Sequence, residues 1–305
     1  MMSLGLVLTC NAARATESEL VRLRDSDQRV ASVGFRLVTG NTAVCKRLNP
    51  ATGLILHSLE QYRGASKDQA MALWTFPSPV AIAGIVPESP ADLAGLRVGD
   101  GIAAIAGFEV PSVPYPGSHE TALRDATEAY LQSQIATAPF RVRIKRGDQM
   151  LSTLVTPKPA CRTRIEVVAG NAVKARSDGS IIQVGQGFVE QLNDDELAFV
   201  LAHELAHTIR EHRRQLEQAQ NHQDANRKRY LGNLARQFED EADILALDLL
   251  VNAGWDPAIA PRFMRTTGRK FTPLYNLNGA HRNASARARQ MEHALAETRG
   301  KSKEN

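Results

Sequence analysis

NDDELAFVLAHELAHTIREH, residues 193–212, is the stretch from which the rest of the chain can be interpreted. Within it, His203, Glu204 and His207 form an HExxH pattern. Positions i and i+4 share one face of a helix, so the two imidazoles can point at one metal ion. Glu204 can act as general base towards a water molecule at that metal. So short a pattern also arises by chance, on an amphipathic helix with two surface histidines, and the remaining sequence must decide.

The residues around the pattern favour a helix. Asn193 is a suitable N-cap, and Glu196 follows three residues later, as in a capping box. The run 197–202 is apolar and helix-forming. We therefore expect the two histidines to lie in a partly buried place with little water.

Composition indicates a globular protein. The chain has 305 residues, which is enough for one large or two ordinary domains. Apolar residues make up 43% and charged residues 23%, and the net charge is only +4. Basic residues are scattered without interleaved aromatics, which is typical of solvated helix faces. The sequence therefore predicts no nucleic-acid partner.

The N-terminus has the features of a targeting segment. Residues 1–9 are apolar, and Ala13-Arg14-Ala15 matches an A-x-A cleavage signal, although no basic residue precedes the apolar run. We expect residues 1–15 to be a signal peptide and the protein to be exported, to the periplasm in a bacterium. A lipoprotein attached through Cys10 is the alternative, with Thr9 a poor match before it. No later stretch approaches the roughly 20 apolar residues of a membrane span.

Two cysteines remain beyond that segment, Cys45 and Cys161. In an exported chain such a pair predicts one disulfide, whereas in the cytosol two separate buried thiols would be expected. A bridge between them would join the two ends of the segment that they enclose.

The enclosed segment contains a second pattern, in residues 74–158. A strand over 80–86 is followed by Ser89-Pro90-Ala91 and later by Gly99-Asp100, and a hairpin follows over 140–155. The glycines suit turns, and the aspartate caps a turn before the next strand. This pattern resembles a bacterial PDZ domain. The resemblance implies binding of C-terminal or extended peptides by strand addition, with the carboxylate-binding loop near 74–78. The alternative is a small β-rich insertion without a ligand.

The other regions complete an α+β fold. Residues 16–73 are predicted to form a helix and strands that pack with the catalytic domain, which we assign to 159–298, and 299–305 form a disordered tail. A strand over 180–184 directly precedes the motif helix. We interpret it as an edge with which a substrate backbone pairs, or otherwise as an ordinary buried strand.

A catalytic zinc site needs a third protein ligand. The metzincin continuation HExxHxxGxxH fails, because Arg210 and Arg213 stand at the glycine and histidine positions. His212 is five residues beyond His207 and is rotated away from the ligand face of a continuous helix. It is interpreted as a residue behind the ligands or as a surface histidine.

A later helix offers carboxylates. Glu239 and Asp243 are four residues apart and share one face, so Glu239 can bind the metal while Asp243 orients an imidazole, best that of His203. Glu241 points elsewhere and is a weaker candidate. The alternative is an acidic helix N-terminus formed by chance.

HELAH, followed by EDEAD and AGWDP, resembles the prenyl-protease-type gluzincins of metallopeptidase family forty-eight. More narrowly, the chain is similar to their soluble, exported bacterial members with a PDZ insertion. The resemblance implies one zinc ion per chain at His203, His207 and Glu239. It also implies His281 and Arg287 as transition-state donors, although Arg282 replaces the proline of the family's H-P-x-x-x-x-R motif.

The sequence thus predicts an exported, mainly helical zincin-type metalloendopeptidase with an inserted, β-rich PDZ-like domain. Glu204 is its base, and polypeptides, including misfolded ones, are its substrates. The PDZ-like domain would recruit substrate or regulate the site. The alternative function is a peptide-binding scaffold protein whose zinc site is structural or vestigial.

Overall fold

The structure is a computed structural model that describes residues 5–113, 118–220, 227–275 and 282–301. It divides into two compact units. Unit one comprises Met1–Phe35 and Leu48–Ala160, and unit two comprises Arg36–Arg47 and Cys161–Asn305. Both helices and sheets are present, as the α+β prediction requires. Among the described residues, no helix is long and apolar enough to cross a membrane.

Unit one is built around strands with short helices between them. Its helices are α1 (Gly5–Gly40, whose last turn lies in unit two), α2 (Ala65–Leu73), α3 (Pro90–Leu93) and α4 (Ala122–Gln132). Its strands are β1 (Leu48–Ala51), β2 (Leu54–Ser58), β3 (Val80–Ile85), β4 (Gly101–Ile105), β5 (Phe108–Glu109), β6 (Phe140–Arg146), β7 (Gln149–Val155) and β8 (Lys158–Cys161).

The main sheet of unit one has the strand order β2-β3-β4-β6-β7, with β5 beside β4. The predicted hairpin is confirmed, since β6 and β7 pair antiparallel from Phe140↔Val155 to Arg146↔Gln149. Alternate residues of β6 point inwards and are buried, which gives the period of two expected of a sheet with one solvated face. The core includes Val80, Ile82, Ile102, Ile105, Val142 and Ile144.

The Ser-Pro-Ala and Gly-Asp pattern has the local roles that the sequence predicts. Ser89 caps α3 by accepting from the backbone N–H of Asp92 at 3.4 Å. Gly99 adopts a φ of 87°, a left-handed conformation that favours glycine. Asp100 accepts from the backbone N–H of Arg97 at 2.8 Å and from Nε of Arg146 at 2.7 Å. The pattern therefore builds the connection between β3 and β4.

The domain boundary predicted at residue 74 differs from the structure. Strand β2 pairs antiparallel with β3, with Ser58 opposite Val80, so residues 54–58 belong to the same sheet as the PDZ-like pattern. Pairing across the intervening residues 59–79 is a long-range contact that local patterns do not reveal. Residues 48–73 and most of α1 therefore group with unit one and not with the predicted catalytic domain.

An aromatic cluster occupies the segment that was expected to bind a carboxylate. Trp74 and Phe76 pack on the ring of His57, with ring centroids 5.5 and 4.4 Å away. The hydroxyl of Tyr62 lies 3.1 Å from Nδ1 of the same imidazole. Burial and, secondarily, the positive charge of Arg24 lower the pKa of His57 to about 3. His57 is therefore a neutral core histidine at neutral pH.

Unit two is mainly helical and carries a small sheet. Its strands are β9 (Arg164–Val168), β10 (Ala175–Ser177) and β11 (Ile181–Gly185). Its helices are α5 (Gln186–Val189), α6 (Asp194–Ile209), α7 (His212–Gln220), α8 (Arg227–Asn252), α9 (Ile259–Arg265), α10 (Thr267–Tyr275) and α11 (Ala284–Lys301). Helix α6 packs against α8, and α9 packs against α11.

The sheet of unit two corrects one interpretation. The strand order is β10-β11-β9, so β11, which precedes the motif helix, is central and not an edge. It pairs antiparallel with β10 and parallel with β9. Within the described residues β10 is the edge strand that packs against α6. A hydrogen bond of 2.8 Å between the hydroxyls of Ser177 and Thr208 joins them.

The predicted disulfide between Cys45 and Cys161 is present, with their Cα atoms 5.4 Å apart. Next to it, the backbone N–H of Arg162 donates to the carbonyl of Arg47 at 3.0 Å. Both contacts lie within unit two and join its two chain segments, at the points where the chain passes into unit one and comes back. The bridge therefore ties together the two ends of the inserted segment.

Removal of the bridge should destabilise the protein. For Cys45→Ser combined with Cys161→Ser, we expect the free energy of unfolding to fall by roughly 3–5 kcal/mol at most, because a long loop is no longer closed in the unfolded chain. Urea unfolding measures this value. In the non-reduced parent protein, peptide mapping after alkylation should find both cysteines unmodified. Complete alkylation of both would contradict the bridge, and a reduced sample provides the control.

The buried His57 predicts acid sensitivity of unit one. The unfolded chain protonates this residue below about pH 6.5, whereas the folded chain resists protonation until about pH 3. Its contribution therefore lowers the unfolding free energy as pH falls through that window, by up to about 5 kcal/mol. Urea unfolding followed by Trp74 fluorescence, in a Trp255→Phe background, should show a shallower pH dependence for His57→Phe. Equal pH dependences would contradict this account.

Candidate metal centre

Helix α6 begins as its sequence predicts. The Asn193 side chain accepts from the backbone N–H of Glu196 at 2.9 Å, and the Glu196 carboxylate accepts from the backbone N–H of Asn193 at 3.1 Å. This capping box satisfies two N–H groups at the start of the helix. Residues 197–203 are all buried, so the helix is fixed on several sides. The histidines are thus carried by a rigid element.

His203, His207 and Glu239 converge. Nε2 of His203 lies 3.2 Å from Nε2 of His207 and 3.2 Å from Oε2 of Glu239. Nε2 of His207 lies 3.6 Å from Oε1 of the same carboxylate. Helix α6 supplies both imidazoles and α8 supplies the carboxylate, so the packing of these two helices assembles the group. The three ligand atoms lie within 4.8 Å of one another.

Asp243 supports the first histidine from behind. Its side chain is 1% exposed, and Oδ1 lies 3.0 Å from Nδ1 of His203, although the N–H direction is not aligned for a regular hydrogen bond. Asp243 follows Glu239 by one helical turn, as the i,i+4 spacing predicts. Arg287 of α11 holds its carboxylate with two hydrogen bonds, of 2.7 Å from Nε and 2.5 Å from Nη2.

The charges at the centre favour positive charge on the imidazole of His203. Burial opposes protonation of His203, but the carboxylates of Asp243 and Glu239 outweigh it and raise the pKa of this histidine to about 10. Burial works against the charge of Asp243, yet the guanidinium of Arg287 and the ring of His203 lower its pKa to about 2. Positive charge is therefore stabilised at the point where the three side chains meet.

The donor set suits zinc. Two imidazole nitrogens and one carboxylate oxygen are the ligands of one common type of catalytic zinc site, which leaves a position open for water or substrate. The carboxylates that raise the pKa of His203 place negative charge around its ring, and a divalent ion bound there would take the place of the proton. His203, His207 and Glu239 are thus a group that could hold such an ion.

Glu204 lines a cavity of about 310 Å³ that also borders His203, His207 and Glu239. One wall of this cavity comes from β10 and includes Arg176 and Ser177. Another wall is apolar and consists of Phe188, Phe199, Val200, Phe263, Met264 and Phe271. The arrangement places a carboxylate, a candidate metal centre and an apolar surface around one space.

The two predicted transition-state donors differ in outcome. Arg287 lines the cavity, but its Nε and Nη2 are used to bind Asp243. Burial works against its charge, whereas the neighbouring Asp243 raises the pKa of its guanidinium. His281 lies outside the described residues. Arg282, which replaces the proline expected there, donates to Asp240 at 2.8 Å.

His212 has a defined place that the sequence left open. It is only 2% exposed, and its Nδ1 lies 2.9 Å from Nδ1 of His207. Its Nε2 lies 3.2 Å from Oε2 of Glu241, the carboxylate judged to point elsewhere. Burial, followed by the nearby His207, lowers the pKa of His212 to about 4. His212 therefore lies behind the imidazole of His207, and its lowered pKa favours the neutral form near pH 7.

The approach of His212 follows from a break in the helix. Helix α6 ends at Ile209, and α7 begins at His212. Between them Glu211 adopts a φ of 56°, in the left-handed region that non-glycine residues rarely enter. The turn redirects the chain, so the rotation expected of a continuous helix does not apply. The histidine five residues after HExxH was the only sequence signal for this contact.

Comparison with known proteins supports a metallopeptidase. The model of Peptidase family M48 matches residues 145–226, a range that includes all of α6 and ends before Glu239. No curated protein sequence matches the chain. The match covers part of the chain and supports a metallopeptidase.

Two solved structures resemble a part of the chain weakly. An HtrA-type protease, AlgW with a decapeptide, has a TM-score of 0.28 and 17% identity, over 37% of this chain and 30% of that one. The HtrA3 PDZ domain bound to a phage-derived ligand has a TM-score of 0.26 and 14% identity, over 37% of this chain and 88% of that one. The chain thus spans under a third of the AlgW structure, and TM-scores of this size do not establish a shared fold.

Proposed function

We propose that the chain is a zinc-dependent endopeptidase with one zinc ion at His203, His207 and Glu239. The observation that carries this proposal is the convergence of these three side chains on a cavity that Glu204 also lines. A site with three protein ligands keeps a position for water, whereas structural zinc sites usually have four protein ligands. The match to Peptidase family M48 supports the same reaction class.

The roles of the side chains follow from their chemistry. When bound, zinc polarises a carbonyl group and acidifies a water molecule. Glu204 would accept a proton from the attacking water and deliver it to the amine that leaves when the peptide C–N bond breaks. Asp243 orients His203, and Arg287 holds Asp243 in place, since two of its donors are spent on that carboxylate. Donation to the oxyanion by His281 stays a prediction.

Strand β10 is the proposed contact for the substrate backbone. It is an edge strand, it packs against α6, and Arg176 and Ser177 border the cavity. An extended peptide that pairs with β10 would pass beside the metal-binding histidines. We therefore propose that the substrate backbone pairs with β10, and not with β11 as the sequence suggested.

The apolar wall indicates the substrate class. Phe199 lies beside the metal-facing His203, with ring centroids 6.3 Å apart, and packs on Phe263 at 5.4 Å. Phe188 packs on Phe271 at 5.0 Å in an edge-to-face arrangement. This wall favours a large apolar side chain next to the scissile bond. Such residues are exposed in unfolded or misfolded polypeptides, which fits the proposed substrates.

Unit one is proposed to bind extended or C-terminal peptides, in the manner of a PDZ domain. Strand β2 is an edge of the main sheet, and α4 packs beside it. An edge strand next to a helix offers backbone groups for strand addition together with a surface for side chains. Segment 74–78 is a weaker candidate for the carboxylate loop, because Trp74 and Phe76 are committed to the aromatic cluster.

Export is the proposed localisation, with the bacterial periplasm as the compartment. The Cys45–Cys161 disulfide supports it, because such bridges persist in oxidising compartments and are rare in the cytosol. The alternative function is a peptide-binding scaffold in which the zinc site is structural. The alternative gives Glu204 no role, and this difference makes it testable.

Glu204→Gln tests the peptidase proposal. We expect zinc content to stay at one ion per chain and casein hydrolysis to fall at least about 100-fold, because the amide cannot accept the proton from water. Metal analysis and a casein assay measure the two effects. Glu217→Gln is the matched control, since Glu217 pairs with Arg213 on the exposed side of α7. Full hydrolysis by Glu204→Gln would remove Glu204 from the role of base, and chelator-insensitive hydrolysis by the parent would remove zinc from the reaction. A parent that binds zinc but hydrolyses no casein would favour the scaffold alternative.

A series of peptides that differ in one residue beside the scissile bond tests the apolar wall. We expect kcat/KM to be about 10 to 100-fold higher for Phe or Leu than for Asp on one side of that bond, given the free energy of burying such a side chain. Val200→Thr keeps the shape but adds a hydroxyl to the wall, so it should reduce this preference. Val251→Thr, at an exposed site of α8, is the control. A flat profile in the parent enzyme would contradict the proposal.

A further inference from the structure

Helix α7 begins with a buried histidine that the reaction described above does not use. His212 lies between His207, at 2.9 Å from Nδ1 to Nδ1, and Glu241, at 3.2 Å from Nε2. One face of its ring stacks on the ring of Phe238, with the ring centroids 4.2 Å apart and the ring planes inclined by 7°. Both ring nitrogens therefore face polar partners while an aromatic ring fixes the plane.

His207, His212 and Glu241 form a row of side chains, and the positions of the hydrogens in this row follow from elementary chemistry. The ionised carboxylate of Glu241 can only accept, so Nε2 of His212 carries a hydrogen. The two Nδ1 atoms, 2.9 Å apart, share one hydrogen, so one of them donates and the other accepts. Since Nε2 of His212 already carries a hydrogen, its Nδ1 is the acceptor, and the shared hydrogen belongs to Nδ1 of His207. Nε2 of His207 is left with its lone pair. That atom faces His203 and Glu239 at the candidate metal centre.

We propose that His212 and Glu241 are positioning residues that hold His207 in the tautomer and orientation required for metal binding. The inference rests on the proposed zinc site. It gives the second imidazole a support of its own, as Asp243 and Arg287 support the first. The two supports use different residues: His212 of α7 with Glu241 of α8 for His207, and Asp243 of α8 with Arg287 of α11 for His203.

The backbone is shaped to deliver this contact. Glu211 adopts the left-handed φ of 56°, which is unfavourable for a non-glycine residue and persists only where its surroundings enforce it. Its carboxylate pairs with Lys46 at 3.5 Å and also with Arg214. Glu241, in turn, accepts from Gln237 at 2.8 Å on the other carboxylate oxygen. Both ends of the row are thus anchored.

Two substitutions of His212 separate positioning from packing. In His212→Asn the side-chain oxygen can take the place of Nδ1 as acceptor, whereas His212→Phe keeps a stacking ring and removes the acceptor. Zinc affinity is measured by competition with a chromogenic chelator, and the visible spectrum of the cobalt-substituted protein reports ligand geometry. We expect about 10 to 100-fold weaker zinc binding and an altered cobalt spectrum for His212→Phe. Zinc binding by His212→Asn should stay within a few-fold of the parent.

The thermal stability of the metal-free proteins provides the second readout. His293→Phe provides a control, because His293 is an exposed histidine that pairs with Glu297. Parental zinc affinity and cobalt spectrum in His212→Phe would overturn the inference. Equal zinc losses in both His212 variants, each with an equal loss of metal-free thermal stability, would also overturn it and indicate packing alone. A parent that binds zinc but does not hydrolyse casein would remove the peptidase function and leave this test of positioning valid.

Discussion

The centre of unit two depends on one electrostatic constraint. His203, His207 and Glu239 bring two ring nitrogens and a carboxylate to the same point, with atoms as close as 3.2 Å, and their lone pairs repel one another unless a hydrogen or a cation lies between them. Burial opposes protonation of His203, but the carboxylates of Asp243 and Glu239 outweigh it and raise the pKa of His203 to about 10, so they favour positive charge at this point. A divalent ion satisfies the same requirement with three ligands at once. The folding of the surrounding helices can therefore be understood as the means of holding three acceptors together.

Holding them requires support behind each imidazole. Asp243, fixed by Arg287, lies behind His203, and His212, fixed by Glu241, lies behind His207. The first support ends in a charge pair that is almost fully buried, and the second reaches a partly exposed carboxylate. A charge at the centre therefore interacts with two hydrogen-bonded groups, one that leads to α11 and one that leads to α7. This arrangement explains why a single helical turn of α8 carries a proposed ligand and parts of both supports.

Sequence spacing predicted the parts of the centre that lie on regular helices. HExxH and the i,i+4 relation of Glu239 and Asp243 follow from helical periodicity, and the structure brings these side chains together as expected. The position of His212 could not be predicted, because it depends on the left-handed conformation of Glu211. A positive φ cannot be predicted from the sequence at a residue other than glycine. The central position of β11 and the inclusion of β2 in the sheet of unit one were missed for a related reason. Both depend on strand pairing between distant segments, which local alternation does not encode.

The turn that directs His212 also lies where the inserted segment is attached. Cys45, Cys161, Leu205 and Glu211 border one small cavity, and Lys46, next to the disulfide, pairs with the carboxylate of Glu211. The covalent anchor of the insertion and the residue that aims His212 therefore share neighbours within unit two. A strained backbone is maintained only by the contacts around it, and for Glu211 these include the pair with Lys46, the residue next to Cys45.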